Sequence, residues 1–166
     1  DANSQEVYAL NGSGRSGEKQ SIQSMTDLGI NSFQDSGVST SVHAVTVPGA
    51  AMGWFDTLER FGQMKLADAL QPAIELAAKG IVLDRDLAES FARRGGEFAR
   101  YPASAAVFAK ETGPYQIGDL WRQPDLAASL TRIKERGKAG FYQGETADLL
   151  VAEMQRGGGL ISHEDL

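Results

Sequence analysis

The sequence predicts an α+β chain, mostly helical with a few strands. From residue 48 onward, apolar residues recur at three- and four-residue intervals in separate runs, the mark of helices that bury one face. Before that point two short stretches alternate apolar with polar side chains, as half-buried strands do. Glycine or proline punctuates nearly every run, so the elements are short. The expected organisation is one domain over residues 1–166, with a strand and loop region at 1–47 and a helical region at 48–166.

The first strand is expected at Glu6-Val7-Tyr8-Ala9-Leu10, closed by Asn11-Gly12-Ser13-Gly14, whose residue types tolerate positive φ. The second covers Val42 to Val47 and stops at Pro48-Gly49. A helix then carries Ala51, Trp54, Phe55, Leu58 and Phe61 as one stripe, with Gly62 at its end. Leu66, Ala69, Leu70, Ala73, Ile74 and Ala77 form the next, closed by Gly80. Pro72 inside that run removes a helical donor and crowds the preceding turn, which predicts a kink or a restart. Asp84 is placed to cap a third helix over Leu87 to Phe91, broken by Gly95-Gly96. A shorter helix is expected over Ala103 to Phe108, then a turn at Thr112-Gly113-Pro114. Gln123-Pro124 places proline at the start of a helix striped by Leu126, Leu130 and Ile133, which Gly137 and Gly140 end. Glu145 to Met154 makes one more, with Leu149, Leu150 and Met154 inward and three glycines as its stop. Ile161 to Leu166 reads as an N-cap with acidic first-turn residues, the opening of a further helix, so the chain is expected to be cut there from something longer.

At 166 residues and 42% apolar content the chain is long enough to bury one core. The first forty residues, rich in Ser, Gly, Asn and Gln, contribute little to it. A formal charge of −6 argues against a nucleic-acid partner, which needs clustered Lys and Arg to displace phosphate counterions. The one dense basic stretch, Arg132 to Lys138, is interleaved with Ile133, Glu135 and Gly137 and reads as the solvated end of a helix. The absence of cysteine excludes disulfides, thiol catalysis and Cys-ligated metals. No run approaches the roughly 20 apolar residues that span a bilayer. The first residues show no basic region followed by an apolar stretch, which leaves open a cytosolic location or export with the signal removed.

His43 and His163 stand far apart, in neither the HxxxH nor the HExxH spacing, so no metal site is assigned. His43 reads as a half-buried sheet residue and His163 as an exposed one. Asp84/Asp86 and Glu164/Asp165 read as caps and surface charge, because no apolar setting separates their pKa values. No serine lies in a GxSxG elbow. Gly12-Ser13-Gly14-Arg15-Ser16-Gly17 lacks both the GxGxxG spacing and the Lys-Ser/Thr of a phosphate loop. Trp54-Phe55 and Trp121 read as core in preference to a stacking platform. No catalytic residue within the chain is assigned.

Several blocks then recur in a fixed order. They are Val47-Pro48-Gly49 leading into Gly53-Trp54-Phe55, Leu58-Glu59-Arg60-Phe61-Gly62, and Leu70-Gln71-Pro72-Ala73-Ile74-Glu75-Leu76-Ala77 with Gly80. Gln123-Pro124-Asp125-Leu126-Ala127, Gly140-Phe141-Tyr142-Gln143-Gly144, and Gly158-Gly159-Leu160-Ile161 with Glu164-Asp165-Leu166 follow. In order and separation from Val45 to Leu166 they resemble the large subunit of the γ-glutamyltransferases (γ-glutamyltranspeptidases).

The resemblance implies a segment of an N-terminal nucleophile hydrolase, an αββα sandwich whose precursor cuts itself. The new N-terminal Thr of the small subunit would attack an amide while its own amine acts as base, because a hydroxyl is a weak nucleophile until a base takes its proton. The implied partners are that small catalytic subunit of the same precursor and a small-molecule γ-glutamyl or acyl amide substrate, with no cofactor.

The family's large subunit usually supplies an arginine, from a D-x-R-E-x-A-P-like block, that grips the substrate's α-carboxylate. Aligned from the strand without a gap, Ser13 stands in the arginine slot of this chain and Arg15 two residues later, with Ser16-Gly17 in place of the usual A-P. The implied substrate-binding residues are Arg15 and Ser13, and the implied branch is acylase-like, since losing a bidentate grip weakens preference for γ-glutamyl groups. The competing reading of Arg15 is an exposed loop arginine. Two other readings of the whole are a non-catalytic scaffold or binding subunit of degenerate family type, and an independent helical interaction domain.

Overall fold

The computed structural model describes residues 4–34 and 37–166. Its helices are α1 (Ile22–Asp27), α2 (Ala50–Phe61), α3 (Leu66–Lys79), α4 (Arg85–Phe98), α5 (Pro102–Phe108), α6 (Pro124–Arg136), α7 (Ala139–Tyr142) and α8 (Glu145–Arg156). Two short strands, β1 (Ile81–Val82) and β2 (Leu120–Trp121), and single 3-10 turns at Val42–Ala44 and His163–Asp165 complete the described elements. The chain is therefore α+β and mostly helical. It gathers into two compact units, one made of the residues up to Ala69 with Arg132–Leu166, the other of Leu70–Thr131.

In the first unit, Ser21 and Ser24 cap α1 reciprocally, each hydroxyl accepting from the other residue's backbone N–H. Helix α2 begins at Gly49, which has no side chain to satisfy the free N–H groups of the first turn. The Tyr142 hydroxyl, at the end of α7, takes that role: it accepts from the Met52 N–H at 3.0 Å and donates to the Pro48 carbonyl at 2.7 Å. Helix α8 buries Thr146, Ala147, Val151 and Met154, a stripe of helical period. Leu149 lies opposite that stripe, about 200° from Ala147 at 100° per residue, and is 58% exposed instead of inward. The stripe expected on α2 is also largely open. Ala51 is buried, but Trp54 and Phe61 are 42% and 44% exposed, so Trp54 is not core within this chain.

Neither expected strand forms. Glu6 to Leu10 is exposed and is not assigned to a strand, and Val42–Ala44 closes into a 3-10 turn. Alternation makes a segment able to pair, but a strand also needs a neighbour for its N–H and C=O groups. His43 accordingly sits in a turn and not in a sheet.

In the second unit β1 and β2 pair antiparallel, Ile81 with Trp121 and Val82 with Leu120. Leu83, 1% exposed, anchors the core with Ala88 and Phe91, against which Leu87, Phe108, Tyr115 and Trp121 pack. Phe91 meets Phe98, Phe108, Tyr115 and Trp121 in tilted or edge-on contacts with ring centroids 5.0–6.5 Å apart. The Trp121 indole N–H donates to the Val107 carbonyl at 2.9 Å. Asp84 caps α4 by accepting from the Leu87 N–H at 2.9 Å.

Two expected breaks do not occur. Helix α4 continues through Gly95-Gly96 to Phe98. Two glycines cost about 2 kcal/mol against alanine in a helix, whereas the half-buried Phe98 gains part of the roughly 1.5–3 kcal/mol of a fully buried phenylalanine, with about 0.5–1.5 kcal/mol more per aromatic pair. Phe98 makes two such pairs, one stacked on Phe108 at 4.6 Å, so packing outweighs propensity. Helix α3 likewise continues through Pro72 without a restart, with Leu70 and Ala77 buried on either side of it.

A Cβ added at Gly96 meets nothing within 4 Å. Gly96→Ala is therefore expected to stabilise the protein by about 0.4–1 kcal/mol through helix propensity alone, read as a higher urea midpoint of unfolding. An unchanged or lower midpoint would contradict the account of α4.

Candidate functional site

Residues 11–17 form a loop whose main chain is fixed from several sides. The Asn11 side-chain oxygen accepts from the Ser13 N–H at 3.1 Å and from its hydroxyl at 2.5 Å. The Val47 N–H donates to the Arg15 carbonyl at 2.8 Å, and the Thr46 hydroxyl donates to the Ser13 carbonyl, also at 2.8 Å. Gly14 has φ +85°, and a Cβ there would lie 1.9 Å from the Val47 carbonyl oxygen. Only glycine permits this approach. The side chains of Ser13 and Arg15 are left facing outward, both residues exposed.

One side of the Arg15 guanidinium is engaged. Its Nη1 lies 3.5 Å from Asp165 Oδ1, and Nη2 donates to the Asp165 carbonyl at 3.4 Å. Nη1 also donates to the Ser16 carbonyl at 3.2 Å. The Arg15 side chain remains 62% exposed, whereas that of Asp165 is 0% exposed.

Asp165 belongs to the 3-10 turn His163–Asp165. Its carboxylate accepts from the Glu18 N–H at 2.7 Å, the Ser162 N–H at 2.9 Å and the Ser162 hydroxyl at 3.3 Å. Burial pushes this carboxyl's pKa up. The backbone N–H groups of Ser162 and Glu18, the Ser162 hydroxyl and the Arg15 charge together outweigh burial and leave the pKa below its ordinary value.

Chemically, the loop offers N–H donors on the exposed part of Arg15 to an anionic group such as a carboxylate. It offers no activated nucleophile. The Ser13 hydroxyl donates to an amide oxygen, which is no base for its proton. Ser13 and Arg15 thus lie on one held loop, two residues apart in sequence, with their side chains bonded to Asn11 and to Asp165 respectively. Glu164/Asp165 does not behave as a surface pair: Asp165 is buried, because three N–H and O–H donors and a cation surround it. Sequence reasoning missed that role, although Ser162 and Asp165 carry the spacing of the capping box that the structure forms. Arg132 is likewise no merely solvated charge, as its side chain is 17% exposed and bonds Thr146 and Glu145. His43 is half-buried with its Nδ1 shielded from solvent and unpartnered, and His163 is exposed, 2.8 Å from Asp148. Among the described residues no cluster of acidic and histidine side chains is arranged to hold a metal, and no helix is long and apolar enough to cross a membrane.

The lowered pKa of Asp165 sets a sign. Its stabilisation is present above the pKa of an unfolded aspartate and is lost as pH falls through the lower folded value. The amide protons of Glu18 and Ser162 are therefore expected to keep full hydrogen-exchange protection at neutral pH and to lose it in acid, below the ordinary carboxylate range. Asp165→Asn is expected to weaken protection at neutral pH and to flatten this dependence. Equal acid sensitivity in wild type and variant would contradict it.

The sequence matches the gamma-glutamyltranspeptidase family over residues 1–166. It is 42% identical over 123 residues to an acylase ACY 1 proenzyme of Pseudomonas sp., covering 74% of this chain and 22% of that protein. To a glutathione hydrolase proenzyme of Escherichia coli it is 39% identical over 128 residues, covering 76% and 22%. Among solved structures it is similar to a cephalosporin acylase of Bacillus halodurans, with TM-score 0.84, 29% identity, and 94% of this chain and 30% of that one covered. It is also similar to the gamma-glutamyltranspeptidase of Helicobacter pylori, with TM-score 0.80, 33% identity, and 92% and 44% covered. The chain thus spans about a fifth of the length of these curated relatives. With a match along its whole length, the chain belongs to the gamma-glutamyltranspeptidase family.

Proposed function

We propose that this chain is the large-subunit part of a γ-glutamyltransferase-like amide hydrolase or acyltransferase that acts on γ-glutamyl or N-acyl amide bonds. Residues 11–17 form one wall of its acyl pocket, with Arg15 and Ser13 as substrate-binding residues. The observation that carries this reading is the loop itself. Its main chain is locked by Val47, Thr46 and the glycine contacts, while Arg15 stays 62% exposed at its surface. A held loop that presents a guanidinium outward suits recognition of an acyl group's carboxylate.

The nucleophile is a Thr at the start of a small subunit that lies outside this chain. Self-cleavage of the precursor frees its amine, which takes the hydroxyl proton as the oxygen attacks the amide carbon. The leaving amine departs protonated, and water or an acceptor amine then releases the acyl group. Arg15 orients the substrate by pairing with its carboxylate, and Ser13 adds a hydroxyl beside it. Ser13 in the family's arginine slot sets this loop apart from the usual clamp and favours the acylase-like branch. The same departure supports the second reading, a non-catalytic scaffold or binding subunit.

The full-length protein is expected to appear in a mass spectrum as two chains and to hydrolyse γ-glutamyl, glutaryl or simple acyl p-nitroanilides. Arg15→Ala is expected to lower kcat/KM for the carboxylate-bearing substrates by roughly ten- to a hundredfold, the value of a hydrogen bond to a charged group. A single uncleaved chain without activity would establish the scaffold reading instead.

A further inference from the structure

We infer that Asp165 is a positioning residue for substrate recognition: it steers the Arg15 guanidinium toward the acyl group without itself touching the ligand. The inference rests on the reading of Arg15 as substrate-binding. Asp165 lies 150 positions away in sequence, and its carboxylate is fully enclosed, so no ligand reaches it. Any effect on substrate must run through a neighbour, and of the side chains that touch the carboxylate, those of Ser162 and Arg15, Arg15 is the exposed one.

The geometry separates anchoring from steering. Both carboxylate oxygens are held by short bonds, Oδ1 by the Glu18 N–H at 2.7 Å and Oδ2 by the Ser162 N–H at 2.9 Å. Asp165 is therefore a fixed point. Arg15 approaches it at only 3.5 Å, the longest of these distances. Because its backbone donors hold the carboxylate in place, Arg15 keeps its contact with Asp165 while its exposed N–H groups meet a ligand.

A long, rotamer-rich side chain on a loop loses considerable entropy when it must be ordered by the ligand itself. Asp165 places that ordering in the free protein. It also offsets the charge of Arg15, so the pair presents directed N–H donors with no net charge. A carboxylate-bearing acyl group gains from the directed donors, and a neutral acyl group meets no unpaired cation.

The test measures KM and kcat of the full-length protein on glutaryl-p-nitroanilide and on neutral butyryl-p-nitroanilide, for wild type, Asp165→Asn, Asp165→Glu, Arg15→Ala and the Arg15→Ala/Asp165→Asn double variant. Asp165→Asn is expected to raise KM for the glutaryl substrate roughly tenfold, the size of effect that loss of an orienting partner produces. Its kcat and its KM for the butyryl substrate stay near wild type. Asp165→Glu restores part of the loss, and Asp165→Asn adds nothing in the Arg15→Ala background.

Equal changes on both substrates, or full additivity with Arg15→Ala, would overturn the proposal by making Asp165 merely structural. A selective effect of Arg15→Ala beside a silent Asp165→Asn would reject the positioning role and keep the reading of Arg15. If Arg15→Ala does not discriminate the substrates, the reading of Arg15 fails and the proposal with it. Where Asp165→Asn does not fold, Asp165→Glu carries the test, and a KM change confined to the glutaryl substrate is the expected result.

Discussion

One buried carboxylate holds the Arg15 side chain beside a loop whose main chain Val47 and Thr46 already fix. Asp165 draws the Glu18 N–H, the Ser162 N–H and hydroxyl and the Arg15 guanidinium onto a single enclosed point. A carboxylate removed from water is tolerated only when such donors replace the lost hydration. The consequence is a tie between two segments of the first unit far apart in sequence, Arg15 to Glu18 and Ser162 to Asp165. Gly14 and Gly49 let the loop lie directly against residues 46–49, and the Tyr142 hydroxyl closes the first turn of α2 beside it.

The second unit is organised by a different interaction. Its core is aromatic, centred on Phe91, and strong enough to carry α4 through two consecutive glycines. Its strands are only two residues each and serve to bring Trp121 onto Phe91 and Phe108.

Six helices after residue 48 were legible because their apolar residues repeat at helical intervals and their ends carry Asp84, Pro124, Gly62 and Gly157, whereas the short α1 and α7, too brief to show a stripe, were not. Those signals are local, and the helix ends fall close to them. What depends on distant partners was not legible. Glu6 to Leu10 has the pattern of a strand, yet pairing is a property of two segments. The Gly95-Gly96 break was a sound local expectation that the distant Phe108 ring overrides. Ser13 and Arg15 were singled out as expected substrate-binding residues through the family's block pattern, and the loop glycines around them were visible in sequence. The carboxylate that holds Arg15 sits 150 positions away, and only the capping-box spacing of Ser162 and Asp165 hinted that it had a fixed place.

The central claim is that this loop is the wall of an acyl pocket and that Arg15 meets the substrate there. A crystal structure of the full-length protein with bound glutarate tests it most directly. The predicted result is a ligand carboxylate within hydrogen-bonding distance of the Arg15 guanidinium, with Asp165 still bonded to Glu18 and Ser162. A glutarate carboxylate held elsewhere, with Arg15 turned to solvent, would contradict the account.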